Sequence, residues 1–286
     1  MKLVTQTEHL SSRFGDELAI KIICKSGFDG IDYSMFSMEK DDCILNTPAY
    51  EKYALKLLDI SESFGKTFEQ AHAPFPTCKD GDEKYNKTMM ERVKRSIEIA
   101  GILNAKIIVV HPVAYKKNQF EKNIEMYKEL EKTAEKSGVK IALENMWGWN
   151  GKRIVPNVCS IAEDFNKHFD ALNTKNFTCC LDLGHCGLVG EDAADMIREM
   201  GHDRIGALHI HDNNNINDSH TLPYTMNMDW DSILMALGQI NYPGNFTYEA
   251  DNFLARFPSD LMPSCEKFMH DVGRSMMKKI EFYRLK

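Results

Sequence analysis

The sequence predicts a (β/α)8 barrel, one α/β domain spanning residues 1–286. Three observations carry that expectation. Eight short β-branched runs recur along the chain, longer segments with helical apolar spacing lie between them, and the last six runs each end on His, Asp or Glu. Eight strand–helix units in a chain of about 250 residues or somewhat more is the beat of this barrel.

The elements follow in order. KLVTQT, from Lys2, is the first strand. DELAIKIICKSG is then a helix, with Asp16 as its N-cap and Gly27 as the residue that stops it. GIDYSM from Gly30 and TFEQAHA from Thr67 are strands two and three. Residues 88–103 carry Met89, Val93, Ile97 and Ala100 at a 3.6-residue spacing, which predicts a helix. KIIVVHP from Lys106 is strand four, and residues 118–138 form a helix closed by "KSG". KIALEN from Lys140, FTCCLDLGH from Phe177 and IGALHIHD from Ile205 are strands five to seven. A helix over 229–240 carries Trp230, Ile233, Leu234 and Leu237 on one face. NFTYEAD from Asn245 is strand eight, and a last helix covers 264–283. A doubly wound open sheet would need a Gly-rich phosphate turn after the first strand, and "TQTEHLSSRFG" is not one.

Composition narrows the function. The net charge is −7, with no long run of like charge, which disfavours nucleic acid as the main partner. The apolar runs are too short to span a bilayer, and MKLVTQTEHL contains no secretory h-region. Eight cysteines are scattered without a C-x-x-C pair. They read as reduced thiols of a cytoplasmic protein, most of them core filler. No Rossmann or Walker-type glycine motif points to a nucleotide cofactor. A homo-oligomer is compatible with the sequence, which does not specify one.

The strand ends carry the chemistry. Strand three ends at His72, four at His111, five at Glu144, six at Asp182 and His185, seven at His209 and His211, and eight at Glu249. Successive markers are 27–40 residues apart, about one βα unit. The C-terminal ends of barrel strands converge on one rim, where active sites of this fold sit. Singly, a His or Glu at a strand end is an ordinary structural residue. Jointly, six of them in one phase form a ligand set suited to a divalent cation. Asp182 stands out because Leu181 and Leu183 flank it, and a buried carboxylate is costly unless paired or metal-bound. His9, His168, His202 and His270 fall off the phase and read as structural or surface residues.

"QAHAP", "VVHP", "ALEN", "CLDLGH", "HIHD" and "YEAD", in this order, resemble the xylose isomerase-like barrel superfamily. It includes sugar isomerases and epimerases and the endonuclease IV type of DNA-repair enzyme. In the sugar-processing members one divalent ion is held from strands five to eight. The resemblance implies Glu144, Asp182, His209 and Glu249 as ligands, with Mn2+, Zn2+, Co2+ or Mg2+ as the ion. His209 is preferred to His211 because Asp212 follows it by three residues, and His185 matches a histidine that contacts substrate or metal. The endonuclease-like members use further ligands that match His72, His111, Asp218 and His220. These positions and His211 are therefore candidates for a second metal or for substrate. One departure is that "TLPYTMNMDW" lacks the usual Gly-rich turn, so the loop bearing Asp218 and His220 is expected to fold differently.

Three functions follow. The first is isomerisation or epimerisation of a sugar or sugar phosphate through an enediolate, with Glu144 and Glu249 moving the proton and His185 holding a substrate oxygen. Trp147 and Trp149, in "NMWGWNGKR", would stack on the sugar or pack the loop. The second is a multi-metal phosphodiesterase acting on abasic DNA, against which stands a stretch, 213–230, without Lys or Arg. The third is a non-catalytic sugar-binding barrel, disfavoured by the presence of both glutamates.

Overall fold

A computed structural model describes residues 1–284. The eight expected strands are all present: β1 (Leu3–Gln6), β2 (Gly30–Ser34), β3 (Thr67–His72), β4 (Ile107–Val110), β5 (Lys140–Glu144), β6 (Phe177–Asp182), β7 (Ile205–His209) and β8 (Phe246–Tyr248). Each pairs in parallel with its neighbour, and β1 also pairs with β8 through Leu3–Phe246 and Thr5–Tyr248. The last gap is bridged beyond the end of β7. The Ile210 N–H donates to the Thr247 carbonyl (3.0 Å), and the Glu249 N–H donates to the Ile210 carbonyl (3.2 Å). The barrel is thereby nearly closed.

The strands are short and apolar because helices cover their outer faces. The large core cluster lies between strands and helices, and a second cluster of Val109, Ala142, Cys180 and Ala207 fills the interior. Those four come from β4 to β7. Side chains alternate faces along a strand. Two residues further on, the inward positions are His111, Glu144, Asp182 and His209. A small apolar layer is thus the floor on which the polar rim stands.

The apolar helical stripes are buried as expected, including Met89, Val93, Ile97 and Ala100, and Trp230, Ile233, Leu234 and Leu237. Gly27 (φ 103°) and Gly138 (φ 68°) end their helices in the left-handed conformation that glycine tolerates without strain. Some boundaries differ. Asp16 is the first helical residue, not the cap, and its carboxylate accepts the Tyr33 and Tyr53 hydroxyls. The helix expected from residue 88 begins at Glu83, where the Asp82 carboxylate caps the Tyr85 N–H (3.0 Å). Among the described residues no helix is long and apolar enough to cross a membrane.

Candidate functional site

Asp182 closes β6 and at once caps the following helix, Leu183–Val189, by accepting the His185 N–H at 2.9 Å. His185 therefore sits on the first turn of that helix, not on the strand, because the continuous apolar run conceals the switch from strand to helix. Asn145, next to Glu144, clasps the two strand ends together. Its amide donates to the Asp182 carbonyl (2.9 Å), its Oδ1 accepts the Asp182 N–H (2.7 Å), and its own carbonyl lies 2.7 Å from His185 Nδ1. Gly184 is required by crowding. A Cβ there would come within 2.1 Å of His211 Cε1.

These elements bring Glu144, Asp182, His209 and Glu249 to one point, with one donor atom of each within 4.8 Å of all the others. His209 Nδ1 lies 2.9 Å from Glu144 Oε1, 3.1 Å from Glu249 Oε2 and 4.0 Å from Asp182 Oδ2. Ligand bonds of about 2.0–2.4 Å to N and O donors place the donors of one cation within roughly 4–4.8 Å of each other, so the set fits a divalent ion. Its chemistry fits too. Three carboxylates buried together need a cation, since burial of uncompensated charge costs several kcal/mol per ion.

Two further groups adjoin the first. His185, His211, Asp218 and His220 form one, and His72 shares Glu144 and His209 in the other. Asp218 Oδ2 is 3.3 Å from His185 Nε2 and 3.1 Å from His220 Nε2, and it accepts the Trp147 indole N–H at 2.9 Å. His211 Nε2 is 3.0 Å from Asp182 Oδ1 and stacks on His220 with ring centroids 4.0 Å apart. His111 Nε2 approaches Glu144 Oε2 at 2.9 Å, and His72 Nε2 at 3.5 Å. Every expected histidine and carboxylate thus lies at this rim. Trp149 does not line the cavity and is 62% exposed at the end of the short hairpin Trp147–Trp149/Ile154–Pro156.

The electrostatics follow from these distances. Burial alone would raise Glu144, but His209 and His111 hold it well below the usual carboxylate range. Burial likewise opposes ionisation of Glu249, and His209 overcomes it. His209 would be lowered by burial, but Cys180, Glu249 and Glu144 push it well up. His220, also opposed by burial, is raised to about 10 by Asp218 and Glu249.

The loop after β7 supplies Asp218 and His220 without the missing glycines. Asn215 (φ 59°), His220 (φ 42°) and Tyr224 (φ 71°) adopt left-handed backbone themselves, a strain that tends to concentrate at functional sites. Buried Asp212 organises the loop by accepting the N–H groups of Met226 (3.0 Å) and Met228 (3.2 Å) and the Trp230 indole N–H (3.1 Å).

A cavity of about 390 Å³ opens over the carboxylates. Glu144, Trp147, His185, Asp218, His220 and Glu249 line it. So do residues that marking the leading ionisable group at the ends of strands three to eight passes over: Gln6, whose amide donates to Glu249 Oε1 (2.7 Å), Glu8, Asp251, Asn252, Phe36, Phe75 and Met146. Phe36 and Phe75 follow β2 and β3 closely, so extending the strand-end phase to aromatic residues would have found them.

The sequence model of the family described as "Xylose isomerase-like TIM barrel" matches residues 20–262. The chain belongs to this xylose isomerase-like family. A curated relative in sequence is the uncharacterized protein MJ1311 of Methanocaldococcus jannaschii, 28% identical over 219 residues, which are 72% of this chain and 71% of the relative. Among solved structures, a D-tagatose 3-epimerase-like protein superposes with a TM-score of 0.71 at 21% identity, covering 97% of this chain and all of that one. A D-psicose 3-epimerase solved in the presence of D-fructose gives 0.74 at 16% identity, covering 96% and 99%. At these identities the likeness is one of fold.

Proposed function

We propose that this chain is a divalent-metal-dependent sugar isomerase or epimerase that moves a carbon-bound proton with Glu144 and Glu249. The observation that carries the reading is the convergence of Glu144, Asp182, His209 and Glu249 within one ion's reach, directly beneath a cavity of sugar size. The sugar-epimerase names of the neighbouring folds agree with it.

A bound divalent cation would supply Lewis-acid polarisation of a substrate carbonyl. The chain's residues do the rest. Glu144 and Glu249 come from β5 and β8, different sides of the rim, and their histidine neighbours keep both anionic and able to accept a proton. One removes the proton and the other returns one, which inverts a centre. Return by a single group to the adjacent carbon isomerises instead. His185 binds a substrate oxygen, held in place by the Asn145 carbonyl and Asp218.

The test is deuterium incorporation from D2O into ketoses by the metal-loaded protein. Glu249→Gln should abolish exchange while sugar binding, followed by ligand-observed NMR, stays measurable. Metal content of the variant separates lost proton transfer from lost ligation. Exchange that persists in a metal-replete Glu249→Gln protein removes the assignment.

A second reading is favoured by the adjoining group His185, His211, Asp218 and His220, which is a candidate second metal site. With His72 and His111 beside Glu144, it suits a polynuclear phosphodiesterase acting on abasic DNA. Elemental analysis decides between the two. One ion per chain favours sugar chemistry, whereas two or three ions together with nicking of abasic duplex favour the phosphodiesterase.

A further inference from the structure

We infer that Asp32, on β2, is the positioning residue of the cation site: it holds a proton on one ring nitrogen of His209 and so leaves the other to bind the ion. This rests on the cation reading above and adds to it a residue outside the four ligands.

Four carboxylates lie within 4.0 Å of the His209 ring. Glu144, Asp182 and Glu249 are all nearest Nδ1. Asp32 alone is nearest Nε2, with Oδ2 at 3.8 Å. The Cys180 thiol and the His72 ring, stacked on His209 at 5.4 Å, are the other groups against it. His209 and Asp32 are both completely buried. Neither His209 Nε2 nor Asp32 Oδ1 has a hydrogen-bond partner. A charge and a ring nitrogen thus face each other in the barrel interior, out of reach of water.

The chain departs from regular strand geometry to put Asp32 there. Along the β2–β3 ladder Ile31 pairs with Phe68, but Asp32 pairs with Gln70, so Glu69 is an extra residue on β3. In a regular strand Phe68 and Gln70 would share a face. Phe68 instead packs in the core between strands and helices, while the Gln70 amide donates to Asp32 Oδ2 at 2.9 Å inside the barrel. Such bulges re-aim side chains beside functional sites. Gly30 makes room for this one, because a Cβ there would lie 2.5 Å from Glu69 Cγ.

The consequence is a choice of tautomer. A neutral imidazole has one protonated nitrogen and one bare one, and the partner of the protonated nitrogen decides which is which. At 3.8 Å the contact is too long for a hydrogen bond, yet in a buried setting a carboxylate still acts strongly on a facing dipole. A bare Nε2 would turn its lone pair toward that anion, whereas a protonated Nε2 turns a positive N–H to it. The proton therefore stays on Nε2. The lone pair of Nδ1 is left for the point it shares with Glu144, Asp182 and Glu249.

The experiment uses Zn2+ as the probe. Competition with a chromogenic chelator gives the ion affinity of the protein and of Asp32→Asn. Long-range 15N–1H spectra of the Zn2+-loaded protein report which His209 nitrogen carries the proton, the signals being assigned by their loss in His209→Gln. The expected result is a proton on Nε2, and a Zn2+ affinity about 10–100-fold weaker in Asp32→Asn, the usual cost of losing the group that orients a ligating histidine. Unchanged affinity in a folded Asp32→Asn protein overturns the inference and leaves the cation reading standing. So does a wild-type spectrum with the proton on Nδ1, which decides the matter even if the variant folds poorly. Failure of the wild-type protein to bind Zn2+ at all removes the cation reading, and this inference falls with it.

Discussion

His209 is completely buried and has one ring nitrogen between two carboxylates. Burial pushes its pKa down, but Cys180, Glu249 and Glu144 win and raise it well above the ordinary histidine value. Without a cation the imidazole is therefore protonated near neutrality, a proton taking the place that a metal would occupy. A ligating imidazole must be neutral. The sign follows: ion binding displaces that proton, so affinity rises with pH across the range in which the free protein keeps it. Calorimetry of Mn2+ or Zn2+ binding in two buffers of different ionisation enthalpy should register release of about one proton per ion. Binding that is independent of pH and buffer would mean that His209 is not a ligand.

At the scale of elements, strand identity was legible because inward positions repeat every two residues, and each inward polar group follows a small apolar one. Val109–His111, Ala142–Glu144, Cys180–Asp182 and Ala207–His209 are the four clearest cases. Less legible were elements whose apolar signal is thin. The helix Tyr50–Ser63 buries only Ala54, Leu57 and Ser61, and the three-residue hairpin strands are too short to show a period. The rim's second layer was hidden for another reason. Asn145 stands inside the quoted "ALEN", yet an amide carries no charge to mark it, and its role depends on β6 arriving beside β5. Its two bonds to the Asp182 main chain tie those strand ends together. Asn145→Ala would leave a buried N–H and a buried C=O without partners. Each such loss costs about 1–3 kcal/mol, so urea denaturation should show a destabilisation of roughly 2–4 kcal/mol. Cation affinity should fall with it, because Asp182 loses its anchor. A variant with unchanged stability and unchanged affinity would show that the clasp is dispensable.

Across the whole molecule, the seam between the first and last strands is where chain ends 243 residues apart in register meet, with Leu3 opposite Phe246. The last helix, Met262–Arg284, lies over this seam, its Gly273 packed so tightly that a Cβ would collide with Leu3 and crowd Tyr248. On the same helix Glu266 is buried, and burial, with the like charge of Asp251 nearby, raises its carboxyl from 4.5 to about 8. A carboxylic acid raised in the folded state is kept protonated there while the unfolded chain ionises. Below pH 4.5 both states hold the proton and Glu266 gives no pH dependence. Between 4.5 and about 8 the unfolded state binds fewer protons, so stability falls as pH rises. Above that interval the loss is complete, on the order of a few kcal/mol. Glu266→Gln cannot ionise, and its denaturation free energy should lack this alkaline decline. The two proteins should lie close together near pH 5, with the variant more stable near pH 9. Curves that run parallel from pH 5 to 9 would place the folded-state ionisation of Glu266 in the ordinary carboxylate range, and the seam would then owe nothing to a neutral acid.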